Sequence, residues 1–92
     1  MGLIQDLERF VKPYSDTRVH TLDSWANRKE QVGVGSLATI TAEGQLYREL
    51  NHHCGHKRYE KACDRLTAIA NRHNCWWEQG YGWTWHFYPK EA

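Results

Sequence analysis

The sequence predicts a small α+β domain, an antiparallel sheet of two hairpins packed against two helices, formed as a single domain over residues 1–92. Three observations carry this expectation. Apolar residues recur at helical spacing near residues 3–12 and 56–73. Apolar and polar residues alternate in two other stretches, each interrupted by a glycine-containing turn. The length, 92 residues, suits one domain with one modest core. Helices layered on one face of an antiparallel sheet are the natural way to bury such elements.

The first helix rests on Leu3, Ile4, Leu7, Phe10 and Val11. At 100° per residue they fall within about 120° of the helix circumference. Pro13 disfavours helical backbone at Lys12, so the helix should stop there. Residues 17–32 are ambiguous. Val19 and Thr21 suggest a short strand, whereas Asp23 or Ser24 could cap a helix carrying Trp25, Ala26 and Lys29. The expectation there is an irregular or short helical piece. Gly33 and Gly35 then break the pattern. Leu37, Thr39 and Thr41 alternate with Ser36, Ala38 and Ile40. Ala42-Glu43-Gly44 reads as a turn, and Leu46, Arg48 and Leu50 alternate with Gln45, Tyr47 and Glu49, which predicts the first hairpin.

Asn51–Gly55 reads as a loop, and His56–His73 as the second helix. Asn74 is a plausible stop, with Arg72 and His73 where positive charge suits the helix dipole. Trp76–Tyr88 predicts a second hairpin around Gln79-Gly80-Tyr81-Gly82. Tyr81, Trp83, Trp85 and Phe87 would share its inner face, and Gly82, Thr84, His86 and Tyr88 the other.

Composition narrows the function classes. Lys plus Arg is 12 against 11 for Asp plus Glu, net +1, which excludes a polycationic or polyanionic tail. Apolar residues at 40% and charged residues at 25% argue against wholesale disorder. No apolar run approaches the ~18 residues of a membrane span. The start, Met1-Gly2-Leu3-Ile4-Gln5-Asp6, meets an acid before any apolar stretch, so no signal peptide is expected. The three irregularly spaced cysteines, 54, 63 and 75, read as reduced thiols of a cytoplasmic protein.

The second helix carries the sharpest pattern. Lys57, Arg58, Lys61, Arg65 and Arg72 gather within about 100° of its circumference. Tyr59, Ala62, Cys63, Leu66, Ile69, Ala70 and His73 form the adjoining core stripe. Lys57, Lys61 and Arg65 stand four apart, a like-charge spacing that weakens a helix by a few tenths of a kcal/mol per pair. An anionic partner is one reason to keep such a ridge; a solvated face partly neutralised by neighbours is the other. From Arg48 to Arg72 there are six basic and three acidic side chains, whereas residues 1–30 carry five of each. The positive potential is therefore local.

Cys54-x-His56 and His73-x-Cys75 invite a zinc reading. The 16 residues between the pairs read as helix and would hold the pairs ~24 Å apart. A metal site is therefore not expected, nor one at His52, His53, Cys54 and His56. A His-metal nuclease would need ligands early on the helix, where Lys and Arg stand instead. Gly33-x-Gly35-Ser36 lacks the length and the Lys of a phosphate loop. No catalytic residues, cofactor or small-molecule substrate are expected. Seven aromatics lie in the 14 residues from Cys75 to Tyr88, on both hairpin faces, so Trp76 and Tyr88 are candidates for a wet contact surface.

A lone α+β domain of this size, with a confined basic helix face, surplus aromatics and no enzyme motif, resembles the small phage-encoded anti-CRISPR proteins, in particular inhibitors of the type I-F surveillance complex. The resemblance lies in overall make-up and transfers no residue. It implies a viral, non-enzymatic inhibitor that binds a host protein–RNA complex in the host cytoplasm and blocks target DNA. The partner-binding candidates are Lys57, Arg58, Lys61, Arg65, Arg72, Trp76 and Tyr88. The alternatives are a small nucleic-acid-binding or regulatory module, using stacking and phosphate contacts, and, further off, a metal-dependent nuclease.

Overall fold

A computed structural model describes residues 2–21 and 36–90. Its elements are α1 (Leu3–Val11), β1 (Thr17–His20), β2 (Ala38–Ala42), α2 (Gln45–Leu50), α3 (His56–Arg72), β3 (Cys75–Gln79) and β4 (Thr84–Pro89). The four strands form one antiparallel sheet in the order β1-β2-β4-β3. The α+β class and the antiparallel sheet are as the sequence predicts. The irregular or short helical piece that Asp23 or Ser24 could cap, and the Gly33/Gly35 break, lie outside the described residues.

Both long helices form where apolar periodicity places them. α1 buries Leu7, Phe10 and Val11 and ends before Pro13. α3 buries Ala62, Leu66, Ile69 and Ala70, while Tyr59, Cys63 and His73 at the rim of the stripe are half-buried. Asn74 takes a left-handed φ of 56° directly after the helix, a conformation Asn tolerates better than most side chains.

Two segments depart from expectation. Residues 17–20 form a strand, paired to β2 with Val19 opposite Ile40. Residues 45–50 form a helix instead of the second strand of a hairpin. Alternation would have placed Arg48 on the same face as Leu46 and Leu50. The helix buries Leu46 and Leu50 four residues apart and leaves Arg48 in water. Gly44 opens α2 where an added Cβ would lie 2.8 Å from the Ser15 carbonyl oxygen.

The core lies between the helices and one face of the sheet. Ile40, Ala42, Cys75, Trp85 and Phe87 meet Leu7, Leu46, Leu50 and Leu66 there. Trp85 and Phe87 are buried as the alternation requires, but Trp83 precedes β4 and is only half-buried, stacked on Tyr81 at 5.7 Å. The opposite sheet face holds Thr39, Thr84, His86 and Tyr88. Asn51 ties the β3–β4 turn to α2, donating to the carbonyls of Tyr47 (2.7 Å) and Gly82 (2.9 Å).

Candidate docking surface on the third helix

The five predicted cations of α3 are all exposed; Arg58, Lys61, Arg65 and Arg72 border α1 or α2, and Lys57 lies beside Lys61 and Asp64. Their environments differ. The Nη1 atom of Arg72 donates to Oδ2 of buried Asp6 at 3.1 Å, and His73 meets the same oxygen at 2.6 Å. The bond to His73, helped by Arg72, holds the Asp6 carboxyl below its ordinary value against the opposing effect of burial. Arg58 lies 3.8 Å from Glu49. Glu49 also accepts from the Tyr14 hydroxyl and from Gln45, each at 3.1 Å. Burial, reinforced by that carboxylate, pushes the Tyr14 hydroxyl pKa up. Arg65 rests over the Phe10 ring, 4.7 Å from its centroid, a cation–π contact. Among the described residues, Lys57 and Lys61 have no ion pair.

Arg65 occupies the centre of this surface. It borders a groove with Asp6, Arg9, Phe10 and Arg72, a second with Lys57, Lys61 and Asp64, and a third with Tyr14, Glu49 and Arg58. The carboxylates that temper the positive charge sit low in the grooves, while the cations stand proud of them: Asp6 and Glu49 are buried and Arg58 and Arg72 are exposed. The geometry suits an extended anionic surface better than a small ligand.

Trp76 and Tyr88 are cross-strand partners with rings stacked at 4.6 Å. Burial, then the charge of the nearby Glu78 carboxylate and the hydrogen bond that the Tyr88 hydroxyl donates to it, raise the Tyr88 pKa. The pair lies on the sheet face away from the helices, so the sheet separates it from the α3 cations. The predicted site residues therefore form two surfaces.

The thiols and histidines are dispersed. α3, 17 residues beginning at His56, separates Cys54/His56 from His73/Cys75, and among the described residues no cluster of three His, Cys, Asp or Glu side chains is placed to hold a metal ion. His52 stacks on Tyr59 at 3.7 Å, His53 meets Tyr47 edge-on at 5.8 Å, and His56 pairs with Glu60. Burial raises the thiol pKa of Cys63 and Cys75, which makes them poor nucleophiles.

Sequence reasoning missed Asp6, Glu49 and Phe10 as parts of this surface. Glu49 was hidden by the strand assignment, since only a helix brings Gln45 and Glu49 together. Asp6 and Phe10 reach α3 from more than fifty residues away, which no local pattern reports. The chain matches no protein-family model, no curated protein and no solved structure.

Proposed function

We propose that this chain is a non-enzymatic binding protein that docks through α3 onto an anionic surface of a host protein–RNA defence complex and so blocks target DNA. The anti-CRISPR resemblance supplies the partner. The observation supporting the docking surface is the unequal neutralisation of α3: Arg58 and Arg72 have carboxylates, whereas Lys57 and Lys61 have no ion pair among the described residues and share an exposed face with Arg65. Like charges held four apart on a helix weaken it, a small cost that an anionic partner would offset.

A nucleic-acid-binding module would ask the cations to meet phosphates while aromatics stack the bases of the same strand. The stack of exposed Trp76 on half-buried Tyr88 lies across the sheet from the cations, which weighs against that reading. Retention of the purified type I-F surveillance complex by immobilised protein tests the proposal. The wild type should retain the complex, and Lys57→Glu with Lys61→Glu should lose most of it. Equal retention by both would move the interface off α3. Failure of the wild type, together with tight binding of free single-stranded RNA, would favour the nucleic-acid module.

A further inference from the structure

β3 ends the sheet, and its backbone bonding can be assigned strand edge by strand edge. The Gly80 N–H donates to Thr84 O, and the Lys90 N–H to Asn74 O, both at 3.0 Å. These two contacts bracket the β3–β4 register, in which Trp76 faces Tyr88 and Glu78 faces His86. Hydrogen-bonded pairs recur at every second residue of an antiparallel ladder. Trp76 and Glu78 therefore bond to β4, and Cys75, Trp77 and Gln79 turn their N–H and C=O groups to the outer edge. None of those groups has a partner among the described residues.

The strand itself carries none of the usual sequence defences of an edge. The strand reads Cys-Trp-Trp-Glu-Gln, with one charge and neither proline nor glycine. Natural edges are blunted by lysine, proline or bulges because a bare edge invites another strand.

We infer that the β3 edge pairs with β3 of a second copy of this chain, antiparallel about Trp77, to make a two-fold dimer with a continuous sheet. The register follows from the edge itself. Centred on Trp77, Cys75 faces Gln79 of the second copy, Trp77 faces Trp77, and all three outward residues of each strand are satisfied, giving six N–H···O=C bonds. Centring the pair on Trp76 or Glu78 forfeits a third of them. Centring on Glu78 also sets two carboxylates face to face, which is unfavourable between directly opposed residues. The Trp77 register instead places exposed Trp76 against Glu78 of the second copy, twice by symmetry. An isologous contact of this kind closes on itself and leaves no further β3 edge.

The test uses the full chain. Sedimentation across a concentration series should show a monomer–dimer equilibrium. Trp76→Glu opposes Glu78 of the second copy with a like charge, and Trp76→Lys opposes it with an opposite charge; both lose the Tyr88 stack equally. Trp76→Glu should weaken the dimer roughly tenfold relative to Trp76→Lys, since two cross-strand pairs change sign. Adding Glu78→Lys to Trp76→Glu should restore association. Amide exchange of the wild type gives a readout free of substitutions. The amides of Cys75, Trp77 and Gln79 should gain protection as concentration rises, and those of Trp76 and Glu78 should not. A monomer at every concentration overturns the inference, as does equal weakening by Glu and Lys at position 76. Dimerisation without protection of the three outward amides also overturns it. Capture of an unrelated extended peptide by a strictly monomeric chain would assign the edge to another occupant.

Discussion

The Nε2 atom of His73 lies 2.6 Å from Oδ2 of Asp6, pinning the C-terminal end of α3 to α1 across 67 residues of sequence. Arg72 reaches the same oxygen at 3.1 Å. One buried carboxylate therefore holds α1 against the end of α3 beside the Arg65 groove.

The first prediction concerns that carboxylate. Its folded-state pKa lies below its ordinary value of 3.8, chiefly because of the His73 bond. A depressed carboxyl contributes stability that is fully present above the unfolded pKa and is lost as pH falls through the folded one. Denaturant unfolding should therefore show a steep loss of stability below about pH 4. Asp6→Asn should lower stability at pH 7 and flatten that acid limb. A variant whose acid limb is as steep as the wild type's would show that Asp6 is not its source.

A second titration should appear at higher pH. His86 is buried, with Nδ1 2.8 Å from the Thr39 hydroxyl, and Gly80 leaves no room beside its Nε2. Burial pushes the imidazole pKa below its ordinary value of 6.5 against a smaller upward pull from Glu78. The unfolded chain then binds the proton first as pH falls through the ordinary value, so stability declines from there down to the folded pKa and is constant with respect to this group below it. NMR titration should place the His86 inflection below the ordinary imidazole value of 6.5. An inflection at or above that value would refute the assignment.

The core prediction separates two tryptophans that share one sequence face. Trp85 is 1% exposed, and Trp85→Ala should cost about 3–5 kcal/mol. That is a large part of the 5–15 kcal/mol typical of a domain. Trp83 stacks on Tyr81 outside the core, so Trp83→Ala should cost distinctly less, roughly 1–2 kcal/mol, the usual range for a partly buried side chain. Urea midpoints of the two variants give the comparison; equal costs would place Trp83 in the core as well.

How much was legible in the sequence follows from the range of the forces involved. The 3.6-residue period of Leu7, Phe10 and Val11 and of Ala62, Leu66 and Ile69 reports a local geometry, and both helices lie where it indicates. The period of two in Trp85 and Phe87 likewise gave the sheet's inner face, and put Trp76 and Tyr88 on the outer one. Gln45–Leu50 satisfies both periods, because Leu46 and Leu50 match at a spacing of four in a helix and of two steps of two in a strand. Only the burial of Arg48 that a strand would demand decides between them. Of the docking surface, the cation arc was visible because it lies on one helix. Its counter-charges Asp6 and Glu49 were not, because tertiary packing brings them there.

The docking surface yields the last prediction, a contrast between one charge reversal beside a buried carboxylate and two reversals in open water. Arg58 lies 3.8 Å from Glu49, whose other contacts are Tyr14 and Gln45. A glutamate at position 58 would face a buried carboxylate, so Arg58→Glu should lower thermal stability as well as docking. Lys57 and Lys61 stand in water beside Glu60, Asp64 and Arg65. Exposed pairs contribute at most about 1 kcal/mol, so Lys57→Glu with Lys61→Glu should leave the melting temperature within a few degrees of the wild type. Docking should still fall, and the difference from the wild type should shrink as salt rises, because exposed charges are screened over ~8 Å at physiological ionic strength. Thermal melting and partner binding at two salt concentrations measure both halves. A Lys57/Lys61 variant that docks normally, or whose loss is indifferent to salt, would show that the ridge is a solvated face and that its like charges are tolerated, not used.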